Sequence, residues 1–220
     1  MSTPTIHSIP ALLAITATGG IDGRSARYEV RLERLKAIYG DALAYEERVA
    51  EVGADELVYW VDSHSYDDGP GSLTIGTSTL LPGTIGDEFA VTRGHLHAQA
   101  DRAELYFCLS GRGVMLMETL DGETSAIELT AGRAAHVPGG WIHRSVNVGS
   151  EPFVTLFCYN SDAGQDYGVI ADAGGMSQCV VSAPGGGWQL RPNQDHVGYA
   201  DPDRDVRYHS SDQGSWVDHG

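Results

Sequence analysis

The stretch GHLHAQADRAELYFCLSG, Gly94 to Gly111, decides how this chain is read, because it sets two histidines and a glutamate inside a segment of strand composition. Side chains two apart on a strand share a face, so His95 and His97 look the same way. After a turn at Ala98 to Arg102, the run Ala103 to Leu109 puts Glu104, Tyr106 and Cys108 on one face, and three donors on two paired strands can converge. A second stretch, PGGWIHRSVN from Pro138 to Asn147, adds His143 behind a Pro-Gly-Gly turn that brings the chain back over the first three. Imidazole and carboxylate suit a divalent transition ion, and three His with one Glu leave room in its shell for water or substrate. The expectation is one divalent metal ion on His95, His97, Glu104 and His143, with Fe, Mn, Zn, Ni and Co all compatible with these donors.

Working outward, short strand-like runs follow one another from Asp55 onward: Glu56 to Val61, Ser72 to Leu80, Glu88 to Arg93, Ala103 to Leu109, Gly113 to Glu118, Ser125 to Leu129, Arg133 to Val137, His143 to Val148 and Phe153 to Tyr159. Turn residues separate them, among them Pro82-Gly83, Asp121-Gly122 and Gly149-Ser150, and no helical pattern interrupts. This grammar implies an all-β antiparallel sandwich or barrel over residues 55–182. Asp121-Gly122 between two apolar runs reads as a hairpin.

Ahead of the strands, residues 1–24 carry little pattern beyond a turn at Thr18 to Gly23. Tyr28, Leu32, Leu35 and Tyr39 recur at helical spacing, which predicts an amphipathic helix from Ser25 to Tyr39, and Asp41 is placed to cap a second one reaching about Val52. Residues 25–54 are thus expected as a helical lead-in packed outside the sheets. No basic region precedes the apolar patch Ile9 to Ile15, so no signal peptide is assigned and the cytoplasm is expected. Behind the strands, Gly185-Gly186-Gly187 reads as a flexible break. From Asn193 the chain is rich in Asp, with His196, His209 and His219 and few aliphatics, so residues 183–220 are expected as an acidic, irregular tail.

The 220 residues carry 14 basic and 30 acidic side chains, a formal net charge of −16. Nucleic acid and anionic membranes both need a positive footprint, so this surface argues against either partner. A small anion is not excluded, because charges beyond a Debye length of ~8 Å are screened and local donors decide. No apolar run approaches the ~20 residues that span a bilayer. Cys108, Cys158 and Cys179 are odd in number and lie in apolar runs, which predicts buried reduced thiols.

The segment Gly132 to Asn147 reads G-x5-P-x-G-x2-H-x3-N, and with Gly94 to Gly111 it resembles the two motifs of the cupin superfamily, whose double-stranded β-helix jelly-roll barrels hold a metal inside. Six residues stand between His97 and Glu104, a spacing similar to the cupin-type phosphoglucose isomerases. So are TLLPGTIGDEF (Thr79 to Phe89), TRGHLHAQADRAELY (Thr92 to Tyr106) and YNSDAGQDYGVI (Tyr159 to Ile170), and the likeness runs from about Gly20 to Val181. The resemblance implies a homodimeric enzyme that interconverts glucose 6-phosphate and fructose 6-phosphate, with the four donors as its metal ligands. It also implies sugar-phosphate contacts at Thr92, Gly94, Tyr159 and Tyr167, with Tyr106 lining the pocket. Gln165 stands where the family has a histidine, and its amide still donates a hydrogen bond.

Glu104 is the only carboxylate of the constellation and so the candidate general base for moving a proton between C2 and C1 of the sugar, the alternative being that it is purely a ligand and the hydrogen moves as a hydride. Thr92 and Gly94 have the wrong parity to face His95 on a regular strand, which calls for a bend at Gly94. Arg93 has ligand-side parity and could add charge, although an arginine at a strand end commonly pairs with a nearby Asp or Glu. His136 stands on the strand before the turn and is not expected on the metal, Trp141 is expected at the barrel mouth, and Asn147 is expected to tie the turn's backbone. Two other classes fit the same donors: a cupin dioxygenase or oxidase acting on a small carbonyl or enediol compound, and a non-catalytic sugar-phosphate-binding cupin.

Overall fold

In the segment ARYEVRL, Tyr28, Val30 and Leu32 alternate with Arg27, Glu29 and Arg31, and this period of two prevails over the helical spacing in the same residues. In the computed structural model, which describes residues 12–23, 26–65, 69 and 71–199, β1 (Ala26–Arg31) pairs antiparallel with β2 (Leu57–Ser65), from Ala26 opposite Ser63 to Arg31 opposite Leu57. The expected helix from Ser25 to Tyr39 is therefore a strand followed by a single 3-10 turn, Leu32–Leu35. Both arrangements bury Leu32 and Leu35, but only the strand satisfies its backbone against β2. The second expected helix is present as α1 (Ala42–Val52): the Asp41 carboxylate accepts from Ala44 N at 2.9 Å, and Gly53, with φ 91°, ends it.

The remaining elements are β3 (Leu73–Leu80), β4 (Thr84–Ile85), β5 (Glu88–Phe89), β6 (Glu104–Ser110), β7 (Arg112–Thr119), β8 (Thr124–Thr130), β9 (Ala134–Val137), β10 (Trp141–Asn147), β11 (Phe153–Asn160), α2 (Gly168–Asp172), β12 (Gln178–Ser182) and β13 (Trp188–Pro192). All strand pairs are antiparallel, in sheets of order β1-β2-β3-β11-β6-β9, β10-β7-β8 and β13-β12-β5-β4. The first two pack against each other through Tyr106, Met115, Met117, Leu129, Val137, Phe153 and Phe157. This is an all-β jelly roll of the cupin type. Fully buried Leu80, Phe153 and Ile142 each contribute roughly 1.5–3 kcal/mol by leaving water.

Local turn chemistry behaves as read. Asp121-Gly122 closes the β7–β8 hairpin, with Glu118 opposite Thr124 and Gly122 at φ 90°. Residues 138–140 carry the chain from β9 in the six-stranded sheet to β10 in the three-stranded one. The run expected from Glu88 to Arg93 forms a ladder only at Glu88–Phe89, and beyond it a single bridge joins Val91 to Val146. The tail departs from expectation, because residues 183–187 are the turn of a hairpin and β13 pairs along β12 from Trp188 opposite Ser182 to Pro192 opposite Gln178. Trp188 Nε1 donates to Glu128 at 2.7 Å, an anchor that the segment's polar composition concealed. The Asp-rich remainder with His209 and His219, like residues 1–11, lies outside the described residues.

All three thiols are free, with Cys108 and Cys179 buried and Cys158 half-buried. Burial pushes the Cys108 thiol up to about 11 and the Cys179 thiol up to about 12. Asn147 ties the turn after β10, as its residue type suggested. Its Nδ2 donates to Leu80 O and Glu151 O, each at 2.9 Å, and its Oδ1 accepts from Gly149 N at 2.9 Å. Asn147→Ala leaves these buried groups unpaired, and chemical denaturation is expected to show a loss of about 2–4 kcal/mol.

Candidate metal centre

Four side chains meet where the six-stranded and three-stranded sheets face each other. His95 N donates to His143 O at 3.1 Å and His143 N to His95 O at 3.0 Å, so the two residues are directly opposite and their rings stand 4.3 Å apart. Glu104 arrives from the other sheet, as the first residue of β6, between Val137 of β9 and Tyr159 of β11. The His95–His97 segment is thus not paired with the Glu104 strand, as the turn at Ala98 to Arg102 suggested. It pairs with β10, and the turn crosses between sheets because those backbone groups find partners in β10 and in the loop at Asp166.

The bend required at Gly94 is present. Gly94 has φ 74°, and a Cβ there would stand 2.7 Å from Ile170 Cδ1 and 2.9 Å from both Arg144 Cβ and His143 O. The left-handed turn removes the strict alternation, so Thr92, Gly94 and His95 all line one cleft of ≈ 480 Å³. Tyr59, Ser78, Glu104, Tyr106, His143, Arg144, Ser145, Phe157, Gln165 and Tyr167 line the rest.

The donors share a common centre. His143 Nε2 lies 3.0 Å, His97 Nε2 3.2 Å and His95 Nε2 3.8 Å from Glu104 Oε2, and the four ligand atoms lie within 4.8 Å of one another. All four residues are buried. Ligand atoms that sit ~2 Å from a shared ion stand roughly 3 Å apart, so this spacing could hold a metal ion. The outer nitrogens explain the orientation: His97 Nδ1 meets Arg102 O and His143 Nδ1 meets Trp141 O, each at 2.9 Å. A carbonyl only accepts, so each Nδ1 carries a proton and each ring turns its Nε2 inward, where it either donates a proton to Glu104 or offers a lone pair to a cation. His95 Nε2 is buried with no hydrogen-bond partner. Three lone pairs aimed at a carboxylate repel one another unless a proton or a cation lies among them, and the donor set therefore fits a divalent ion.

Charge in the site follows the same geometry. Burial alone would raise the Glu104 carboxyl, but hydrogen bonds from His143 and His97 outweigh it and hold the group far below the carboxylate range. Burial, with His143 and His97 alongside, pushes the His95 ring well below the usual histidine value and keeps it neutral. Burial also lowers His97, yet the Glu104 hydrogen bond and charge prevail and raise it. Tyr106 is pushed well up by burial and by Glu104, so its hydroxyl stays protonated beside the carboxylate.

The other expected residues fall as follows. The Tyr167 ring is 5.5 Å from the His95 ring, and its hydroxyl donates to Gln165 Oε1. The Tyr159 ring stands 5.7 Å from that of His97 but is not among the residues lining the cleft. His136 is exposed on β9 opposite Leu105, away from the centre, and Trp141 is half-buried at the edge of the core. Tyr59, Ser78 and Phe157 in the cleft wall carried no motif, and only the register of β2, β3 and β11 brings them there.

A jelly roll enclosing a three-His, one-Glu centre is the architecture of a cupin. A sequence model of the family described as Glucose-6-phosphate isomerase (GPI) matches residues 30–197. The chain is 42% identical over 176 residues to the glucose-6-phosphate isomerase of Sinorhizobium medicae, covering 80% of this chain and 82% of that one. It is 42% identical over 155 residues to the enzyme of that name from Thermococcus litoralis, 70% and 80% of the two chains. It is 40% identical over 168 residues to the one from Pyrococcus furiosus, 76% and 87%. The chain belongs to the glucose-6-phosphate isomerase family.

Gly94→Ala forces a side chain into the left-handed region and against the His143 carbonyl, so thermal unfolding is expected to reveal a loss of at least about 1–3 kcal/mol.

Proposed function

We propose that this protein is a metal-dependent aldose–ketose isomerase that interconverts glucose 6-phosphate and fructose 6-phosphate, with His95, His97, Glu104 and His143 as ligands of one divalent ion. The observation that carries the reading is the convergence of three inward-facing Nε2 atoms and one carboxylate oxygen beside a cleft that His95, Glu104 and His143 line. Membership of the glucose-6-phosphate isomerase family supplies the substrate pair. A homodimer in the cytoplasm is part of the same reading. No helix among the described residues is long and apolar enough to cross a membrane.

The reaction moves one hydrogen between C2 and C1, and its costly species is an enediolate carrying negative charge on O1 and O2. When bound, the divalent ion supplies positive charge next to those oxygens without changing oxidation state. Glu104 does the proton work in this reading. The carboxylate is ionised, lines the cleft and is shielded from water, so it takes the proton from C2 and returns it to C1. Tyr106 keeps its hydroxyl proton and offers a donor beside that carboxylate. Thr92, Gly94, Gln165 and Tyr167 bind the remainder of the sugar phosphate from the cleft wall. Tyr159, whose ring stands 5.7 Å from that of His97, packs beside the metal ligands in this reading.

Purified protein is expected to interconvert the two sugar phosphates, to lose activity on chelation and to regain it with a divalent ion, with no uptake of oxygen. Oxygen consumption would instead place it among the dioxygenases. His143→Ala is expected to abolish stoichiometric metal binding, measured by elemental analysis, together with activity. Glu104→Gln is expected to lower kcat by about 10²–10⁴-fold. Isomerisation in heavy water should carry solvent deuterium into the product, and a product free of deuterium would remove Glu104 from the base role.

A further inference from the structure

Arg93 is 6% exposed, and its Nε and Nη2 are buried without a hydrogen-bond partner. No ion pair among the described residues includes it, so the neighbouring carboxylate expected for a strand-end arginine is absent. Its guanidinium carbon instead stands 3.8 Å from the centroid of the Tyr167 ring, and that ring lines the cleft 5.5 Å from His95. A cation over an aromatic face recovers part of the hydration lost on burial, but the ring offers nothing to the N–H groups. A buried guanidinium with free donors is complementary to an anion that arrives later.

The backbone on either side holds this group in place. Arg93 N donates to the Tyr59 hydroxyl at 3.3 Å, and Arg93 O accepts from Arg144 Nη2 at 3.3 Å. Arg144 spends its other terminal nitrogen on Ile38 O, also at 3.3 Å, so it acts as a brace for the backbone. Thr92 and Gly94, the neighbours of Arg93, both line the cleft. Arg93 itself is not among the residues lining the cleft, and its guanidinium reaches that wall through its contact with the Tyr167 ring, which is.

We propose that Arg93 neutralises the phosphate of the bound sugar and makes the cleft select phosphorylated over neutral sugars. The inference rests on the sugar-phosphate reading of the site and adds to it the residue that supplies the charge. A phosphate monoester offers several acceptor oxygens to the planar fork of a guanidinium. A neutral sugar leaves Nε and Nη2 unpaired in a dry environment, and unpaired buried donors are what give a site strong rejection of an analogue. The net charge of −16 offers an anionic substrate no general attraction, so its partners are local ones.

The test uses the metal-replete full chain and the variants Arg93→Met and Arg93→Gln, with inorganic phosphate as the probe. Methionine keeps an apolar stem against Tyr167 and removes the charge. In Arg93→Met the KM for fructose 6-phosphate and the inhibition constant of phosphate are each expected to rise at least roughly 30-fold, with the fall in kcat smaller than the rise in KM. Bound metal should be unchanged. The thermal midpoint without ligand should be equal to or above that of the unsubstituted protein, because an unpaired buried charge has gone, and the stabilisation by phosphate should vanish. A packing role would do the reverse, lowering the unliganded midpoint while leaving the phosphate constants alone, and that result overturns the proposal. If the methionine variant does not fold, Arg93→Gln decides by the same phosphate constants, unchanged values again overturning it. A protein that binds phosphate through Arg93 but does not isomerise sinks the activity reading and leaves this inference standing. An active isomerase whose phosphate constants ignore Arg93 does the opposite.

Discussion

Three imidazole lone pairs aimed at one carboxylate oxygen cannot coexist stably in a dry interior, and the architecture is arranged so that they must. The Arg102 and Trp141 carbonyls accept from the outer N–H groups of His97 and His143 and so turn the inner nitrogens toward Glu104. The reciprocal hydrogen bonds of His95 and His143 hold two rings side by side, and β6 delivers Glu104 from the facing sheet. Relief comes from positive charge at the centre. Relief of that repulsion would contribute to the affinity of such a centre for a cation.

Holding a repulsive centre together requires a stiff surround. Met117 lies opposite His143 in the β7–β10 ladder and is buried with Met115, Phe153 and Phe157 beneath the site. Those side chains belong to both sheets, so the hydrophobic contact that builds the core also sets the distance between Glu104 and His143. The polar demands of the rim are met by residues such as Asn147, which satisfies three backbone groups where β10 ends. Stability and site geometry share the same residues here.

Much of this was legible in the chain. Asp121-Gly122, the strand runs and the Asp41 cap are local features whose physics is complete within a few residues. The four donors were legible because few environments other than an ion reward three histidines and a glutamate at such spacing. What escaped was long-range. Ala26–Arg31 carries strand and helix periodicities at once, and the presence of β2 settles the choice. Trp188–Pro192 looks polar and irregular until β12 and Glu128 are placed beside it. The His95 segment pairs with β10 and not with the strand that follows it, a fact of topology that spacing alone does not contain. Tyr59 and Ser78 reach the cleft by register alone.

The loop that carries Gln165 and Tyr167 is stitched to the His95 segment at several points. Leu96 and Asp166 exchange backbone hydrogen bonds at 3.1 and 2.8 Å, Gln99 N reaches Ala163 O at 2.8 Å, and the Arg102 guanidinium grips Asp162 with two bonds of 2.9 and 2.8 Å. The wall that would recognise the far end of a ligand and the residues that would act on its near end therefore move as one body. The cleft is a caliper with its jaws set, its gap fixed by the fold before anything enters.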